Sequence, residues 1–166
     1  CAHKIAAKAF ANVLPDRRTN IIDVGCGTGL VAKELFEMGF EIIDGVDVSK
    51  GMLKQARALG IYRYLYQHRI GLNVAASIAG YGGVLCVGSF GLGHMGKEDI
   101  NNLIDMAKSD APIVIFMNAE PFEEQNYIAT IESLSDAGRW IIDRIEGHNY
   151  MSALERPGKL IVGKRV

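Results

Sequence analysis

Metal and disulfide chemistry have little to stand on in this sequence. Its three cysteines, at positions 1, 26 and 86, are far apart and form no Cys-x-x-Cys pair. No cluster of His, Cys and Asp has ligand spacing, so no metal site is expected. Cys26 and Cys86 lie in glycine-rich and apolar surroundings and read as small buried thiols in a reducing cytosol, which predicts a cytoplasmic location. An excess of one charge is missing too: 18 Lys and Arg face 19 Asp and Glu, a formal net charge of -1. That balance leaves no electrostatic footprint for nucleic acid or a membrane surface. Arg17-Arg18 and Lys164-Arg165 are local basic pairs and read as solvated surface. No apolar run is long enough to span a bilayer, and no targeting segment is visible. Repeats, low-complexity tracts and linkers are absent. What remains is one globular domain over residues 1–166, with 49% apolar residues to build a core. Cys1 stands where a chain would begin with Met, which raises the expectation that an N-terminal lid segment is missing.

Apolar periodicity alternates between the two regular structures. Ile5, Ala6, Ala9, Phe10 and Val13 recur at helical spacing and stop at Pro15. Short apolar strands are expected at Asn20–Val24, Glu41–Val46, Tyr62–Tyr66, Val84–Gly88 and Ile113–Asn118. Helices are expected between them at Leu30–Met38, Lys50–Leu59 and Ile100–Ala107, and a single helix at Glu123–Ala137. Arg139–Gly147 and Lys159–Lys164 read as two closing strands, and Gln67–Gly82 has no clear period. Strands alternating with helices predict an α/β fold, a mostly parallel sheet covered on both faces. In such sheets ligands bind at the carboxyl ends of the strands.

That edge carries the strongest signal. Asn20-Ile21-Ile22-Asp23-Val24 runs into Gly25-Cys26-Gly27-Thr28-Gly29, and a helix follows at once. Glycines let the turn close tightly and let a ligand approach the main chain, and the helix start offers unpaired N–H groups. About twenty residues later Asp47 closes the second strand, where an acid accepts hydrogen bonds from ribose hydroxyls. An adenosine-bearing ligand is therefore expected. The spacing G-x-G-x-G differs from the G-x-G-x-x-G of dinucleotide sites. Asp23, two residues before the first glycine, would repel a pyrophosphate and attract an ammonium group. This combination favours S-adenosylmethionine over NAD.

Asp23-Val24-Gly25-Cys26-Gly27-Thr28-Gly29 resembles the first motif of class I S-adenosylmethionine-dependent methyltransferases. Gly45-Val46-Asp47-Val48-Ser49, followed by Met52, Leu53 and Ala56, resembles the second. Gly25–Ala32, Gly60-Ile61-Tyr62, Gly93-His94 and Tyr150-Met151 are similar to the methyltransferase-like proteins of the Williams–Beuren region. The resemblance implies a Rossmann-like sandwich with a seven-stranded sheet in the order 3-2-1-4-5-7-6, the last strand antiparallel. Two positions depart from the family pattern: Gln67-His68-Arg69 contains no acid for the adenine amino group and reads as a solvated loop, and Gly82 replaces the Asp that usually opens the fourth strand.

The expected cofactor site comprises Asp23, Gly25, Cys26, Gly27, Thr28, Gly29, Asp47, Val48, Met52, Ser89 and Phe90. His94, in the glycine-rich segment Gly88–Gly96 after the fourth strand, is the candidate catalytic base, since an imidazole titrates near pH ~6.5. Asn118, Glu120, Tyr127, His148 and Tyr150 are weaker candidates for an acceptor pocket. The expected reaction is methyl transfer to a small-molecule acceptor. A non-catalytic binding module that senses the cofactor or serves a partner subunit is the alternative.

Overall fold

The computed structural model describes residues 1–71, 77–91, 94–151 and 156–166, and the backbone alone at 150 and 151. In chain order the elements are α1 (Ala2–Val13), β1 (Ile21–Val24), α2 (Leu30–Glu37), β2 (Ile43–Asp47), α3 (Lys50–Ala58), β3 (Tyr62–Gln67) and β4 (Gly83–Val87). Then come α4 (Asp99–Met106), β5 (Pro112–Asn118), α5 (Ala119–Glu124), α6 (Tyr127–Asp136), β6 (Trp140–Met151) and β7 (Arg156–Arg165). The strands form one seven-stranded sheet in the order β3-β2-β1-β4-β5-β7-β6. Only β7 runs against its neighbours, pairing antiparallel with both β5 and β6. The expected topology is the one observed.

Alternate residues of each strand enter opposite cores, as the pleat requires. Ile21, Ile43, Leu85, Val114 and Phe116 face α1 and α2, meeting Ala6, Phe10, Val31 and Leu35. Ile22, Val46, Val84, Cys86 and Ile115 face the other way, against Ile100, Leu103 and Ile104 of α4 and Ile131 of α6. The central strands β1, β4 and β5 are buried along almost their whole length, which is why they read as unbroken apolar runs.

The closing strands are longer than the sequence reading, β6 running to Met151 and β7 starting at Arg156, and two other boundaries differ for local reasons. The single helix expected over Glu123–Ala137 is two helices, with Asn126 between them at φ 51. Asparagine tolerates this left-handed conformation better than most residues, and the break lets the Phe122 and Tyr127 rings stack at 6.2 Å. β2 starts at Ile43 rather than Glu41, because the Glu41 amide donates to the Arg17 carbonyl, outside the sheet. No described helix is long and apolar enough to cross a membrane.

Candidate functional site

The tips of β1, β2 and β4 converge on the glycine turn. Gly25, Gly27 and Gly29 all take positive φ, at 69°, 53° and 91°. Gly25 has a second constraint: a Cβ there would lie 1.9 Å from Ser89 Oγ. That hydroxyl instead donates to the Gly25 carbonyl at 3.2 Å, joining the end of β4 to the turn. At Gly27 a Cβ would meet no protein atom within 4 Å, so the main chain is open to whatever lies above it.

Asp47 fixes the turn from the neighbouring strand tip. Its Oδ2 accepts from the Gly27 amide at 2.9 Å and its Oδ1 from the Ser49 amide at 2.8 Å. Each oxygen keeps a lone pair for a further donor. Ser49 then caps α3, its Oγ accepting from the Met52 amide at 3.3 Å.

Asp23 lies beneath the turn rather than on its open side. It is 2% exposed, and its Oδ2 accepts from the Tyr62 hydroxyl at 2.9 Å. Burial pushes its pKa up to about 7; the Tyr62 hydrogen bond works against that rise, and the charge of Asp47 adds to it. Burial also pushes the Cys26 thiol well above its ordinary range, with Asp23 and Asp47 contributing, which keeps it un-ionised and inert.

Above the turn opens a cavity of about 940 Å³, large enough for a nucleoside ligand together with a second small molecule. Among the sequence candidates, Gly25, Cys26, Gly27, Thr28, Asp47, Val48, Met52, Ser89 and His94 line it. Asp23, Gly29 and Phe90 do not. Gly29 is the N-cap of α2. Phe90 is 4% exposed and meets Tyr127 edge-on at 5.9 Å, which is core packing. Gln67, His68 and Arg69 are exposed, as a solvated loop would be, yet they form part of the cavity wall. Gln67 Nε2 donates to the Val48 carbonyl at 3.4 Å.

The fold also adds lining residues that local sequence does not announce. His3, on the first turn of α1, reaches the cavity because α1 packs on α2, where Glu34 lies 3.8 Å away. Burial lowers the His3 pKa, opposed by Glu34. Asp99, the first residue of α4, accepts from the Gly96 amide and from Asn102 Nδ2, both at 3.0 Å. It thereby ties down the segment just after His94. The signal that points to Asp99 is its place at the start of a helix after β4.

The acceptor candidates do not gather in this cavity. Glu120 and His148 line a second hollow of about 450 Å³ at the end of β5, with Lys159. His148 is 3.0 Å from Glu146 and edge-on to Phe116. Tyr127 is fully buried, and its hydroxyl and Asn118 Oδ1 have no partner among the described residues. The Tyr150 side chain, Leu92 and Gly93 lie outside the described residues. No group of three His, Cys, Asp or Glu suited to a metal occurs among the described residues.

A β3-β2-β1-β4-β5-β7-β6 sheet with a glycine turn after β1 and an acid at the tip of β2 defines the class I S-adenosylmethionine-dependent methyltransferase fold. The chain belongs to the methyltransferase domain family, whose model matches residues 21–109. It is 34% identical over 145 residues to human methyltransferase-like protein 27, an alignment covering 84% of this chain and 59% of that protein. The chain thus spans less than two thirds of that relative. Among solved structures it is similar to magnesium protoporphyrin IX methyltransferase from Synechocystis with bound SAM (TM-score 0.72, 18% identity, 99% of this chain and 80% of that one). A putative S-adenosylmethionine-dependent methyltransferase from Listeria monocytogenes superposes with a TM-score of 0.74 at 15% identity, covering 99% of both chains. The [4+2]-cyclase SpnF superposes with a TM-score of 0.71 at 14% identity, covering 98% of this chain and 81% of that one.

Proposed function

We propose that this chain binds S-adenosylmethionine on the Gly25–Gly29 turn and transfers its methyl group to a small-molecule acceptor. The observation that carries the reading is the Asp47 carboxylate, held by two backbone amides at the cavity wall with a lone pair left on each oxygen. That is the pair of acceptors a ribose diol requires for its two hydroxyl donors. The open main chain at Gly27 fits the same ligand, as do the half-exposed Val48 and Met52 side chains, which offer an apolar face to a purine.

When bound, the sulfonium supplies an electrophilic methyl group and a good leaving group. The protein's part is to orient donor and acceptor and to exclude water. Orientation of this kind is worth about 7–11 kcal/mol of barrier. With the β2 and β3 side committed to the nucleoside, the acceptor enters from the β4 side, past Ser89, His94 and Asp99. An exposed imidazole at His94 can take the proton of an acceptor hydroxyl or amine. An acceptor already anionic needs no base. Free Cys26 and Cys86 suit a reducing, cytoplasmic setting.

Titration calorimetry with S-adenosylhomocysteine tests the donor site: micromolar binding is expected, weakened at least tenfold by Asp47→Ala. Transfer of labelled methyl from S-adenosylmethionine to a metabolite extract, lost in the same variant, tests the reaction. Binding without any transfer to small molecules would favour a cofactor-sensing module. The [4+2]-cyclase SpnF has this fold too, so the fold alone does not separate the two readings.

A further inference from the structure

We propose that Tyr62 is a positioning residue of the donor site: its hydroxyl holds the Asp23 carboxylate under the glycine turn and so sets how strongly the turn attracts the cationic end of the donor. The inference rests on the donor reading above and concerns a residue that does not line the cavity.

Three contacts place the ring. Tyr62 opens β3, two strands away from Asp23, and reaches across β2 to bond it at 2.9 Å. The register sets Asp23 beside Gly45, and a Cβ at Gly45 would come within 2.8 Å of Tyr62 Cε1. At Gly29 a Cβ would lie 3.2 Å from Tyr62 Cε2 and 3.3 Å from its hydroxyl. Two glycines, one in a strand and one in the turn, therefore leave room for the same aromatic ring. Gly45 has no positive φ to account for it; the close approach of the Tyr62 ring, of Leu65 at 2.8 Å and of Cys26 Sγ at 3.0 Å does.

The charge environment makes the hydroxyl consequential. Asp23 faces Asp47 from β2, Tyr62 from β3 and Cys26 from the turn, and its charge is felt at Cys86 of β4. Helices α1 and α2 cover this face with Ala6, Phe10, Val31, Ala32 and Leu35, none of them titratable, and α3, packed on β2 and β3, turns Lys50, Lys54 and Arg57 to its exposed side. The titratable residues these helices carry by the cavity, His3 and Glu34, lie 3.8 Å from each other. No cation stands among the groups acting on Asp23, so Tyr62 alone favours its ionised form. With a pKa of about 7, the carboxylate is half-ionised in the neutral range, where one hydrogen bond decides its charge.

The test is calorimetric titration of S-adenosylhomocysteine into wild type and Tyr62→Phe between pH ~6 and ~8.5. The ammonium of the probe titrates alike in both, so the comparison isolates the protein. Wild-type affinity is expected to rise as pH climbs through about 7. In Tyr62→Phe that rise moves up by about one pH unit, which leaves affinity up to about threefold lower near pH ~7.5 and nearly restored toward pH ~8.5. A profile unchanged from wild type, or a loss equal at every pH, overturns the proposal. If Tyr62→Phe fails to fold, 3-fluorotyrosine at position 62, a stronger hydrogen-bond donor, replaces it: a rise moved to lower pH supports the proposal, and an unmoved one overturns it. Absence of wild-type binding at every pH would overturn the donor reading itself, and the role of Tyr62 with it.

Discussion

Two aspartates are buried in this sheet, one against each helical layer, and they are solvated in opposite ways. Asp44 of β2 is 0% exposed and Asp23 of β1 is 2% exposed. Asp44 accepts four hydrogen bonds: Arg63 Nε at 2.9 Å, Arg63 Nη2 at 2.7 Å, the Tyr64 amide at 3.2 Å and the Tyr81 hydroxyl at 2.6 Å. Asp23 accepts one side-chain bond, from Tyr62, and has no cation beside it. Burying a carboxylate is costly, and a bidentate guanidinium offsets that cost where a lone phenol does not. Asp44, toward the start of its strand, is a structural acid. Asp23, under the tip of its strand, stays close to the point of taking up a proton, which is the condition found at functional sites.

The largest effect expected on this contrast is from Asp44→Ala, which leaves the buried Tyr81 hydroxyl unpaired and the half-exposed Arg63 without its acid, and should cost about 3 kcal/mol in urea denaturation. An equally large loss from Asp23→Ala would erase the distinction between the two acids. Asp23→Asn should do the opposite and stabilise the fold at high pH. The carboxyl titrates near ~3.9 when unfolded and near about 7 when folded. Its contribution is therefore fully present below pH ~4 and lost as pH rises through about 7. The amide variant escapes that loss: it should match wild type at pH ~4 and exceed it by roughly 2–4 kcal/mol at pH ~8. A wild type whose unfolding free energy is flat between those values would remove the basis of the contrast. Asp47→Ala should weaken S-adenosylhomocysteine by about 1.5–3 kcal/mol, read by calorimetry, because a charged hydrogen-bond acceptor is lost. Tyr81→Phe should cost about 1–2 kcal/mol of stability with donor affinity unchanged, since Asp44 keeps its three other bonds.

The same contrast explains what the sequence made legible. The glycine turn, Asp47 and the sheet order could be read because each rests on local spacing or on the alternation of strand and helix. Asp23 could be marked as important, but not placed: its partner is 39 residues away, and Tyr62 comes within reach only when β3 pairs with β2. His3 and Asp99 escaped notice because they reach the cavity through packing of whole helices. Asn126 lies inside the single helix expected over Glu123–Ala137, and its left-handed backbone divides that helix so that two rings can stack. Phe90 was apolar at the right edge of the sheet, a property shared by lining and core residues, and its contact with Tyr127 is formed by α6, beyond the reach of local spacing.

The two amides that hold Asp47 have a consequence for the speed and tightness of capture. Its side chain is already fixed before any nucleoside arrives, by the turn on one side and by the Ser49 amide on the other. A sugar docking there has no rotamer to freeze, and the ordering entropy that weakens flexible sites has been met during folding. On the proposed reading, the pocket is preorganised at Asp47 before the donor binds.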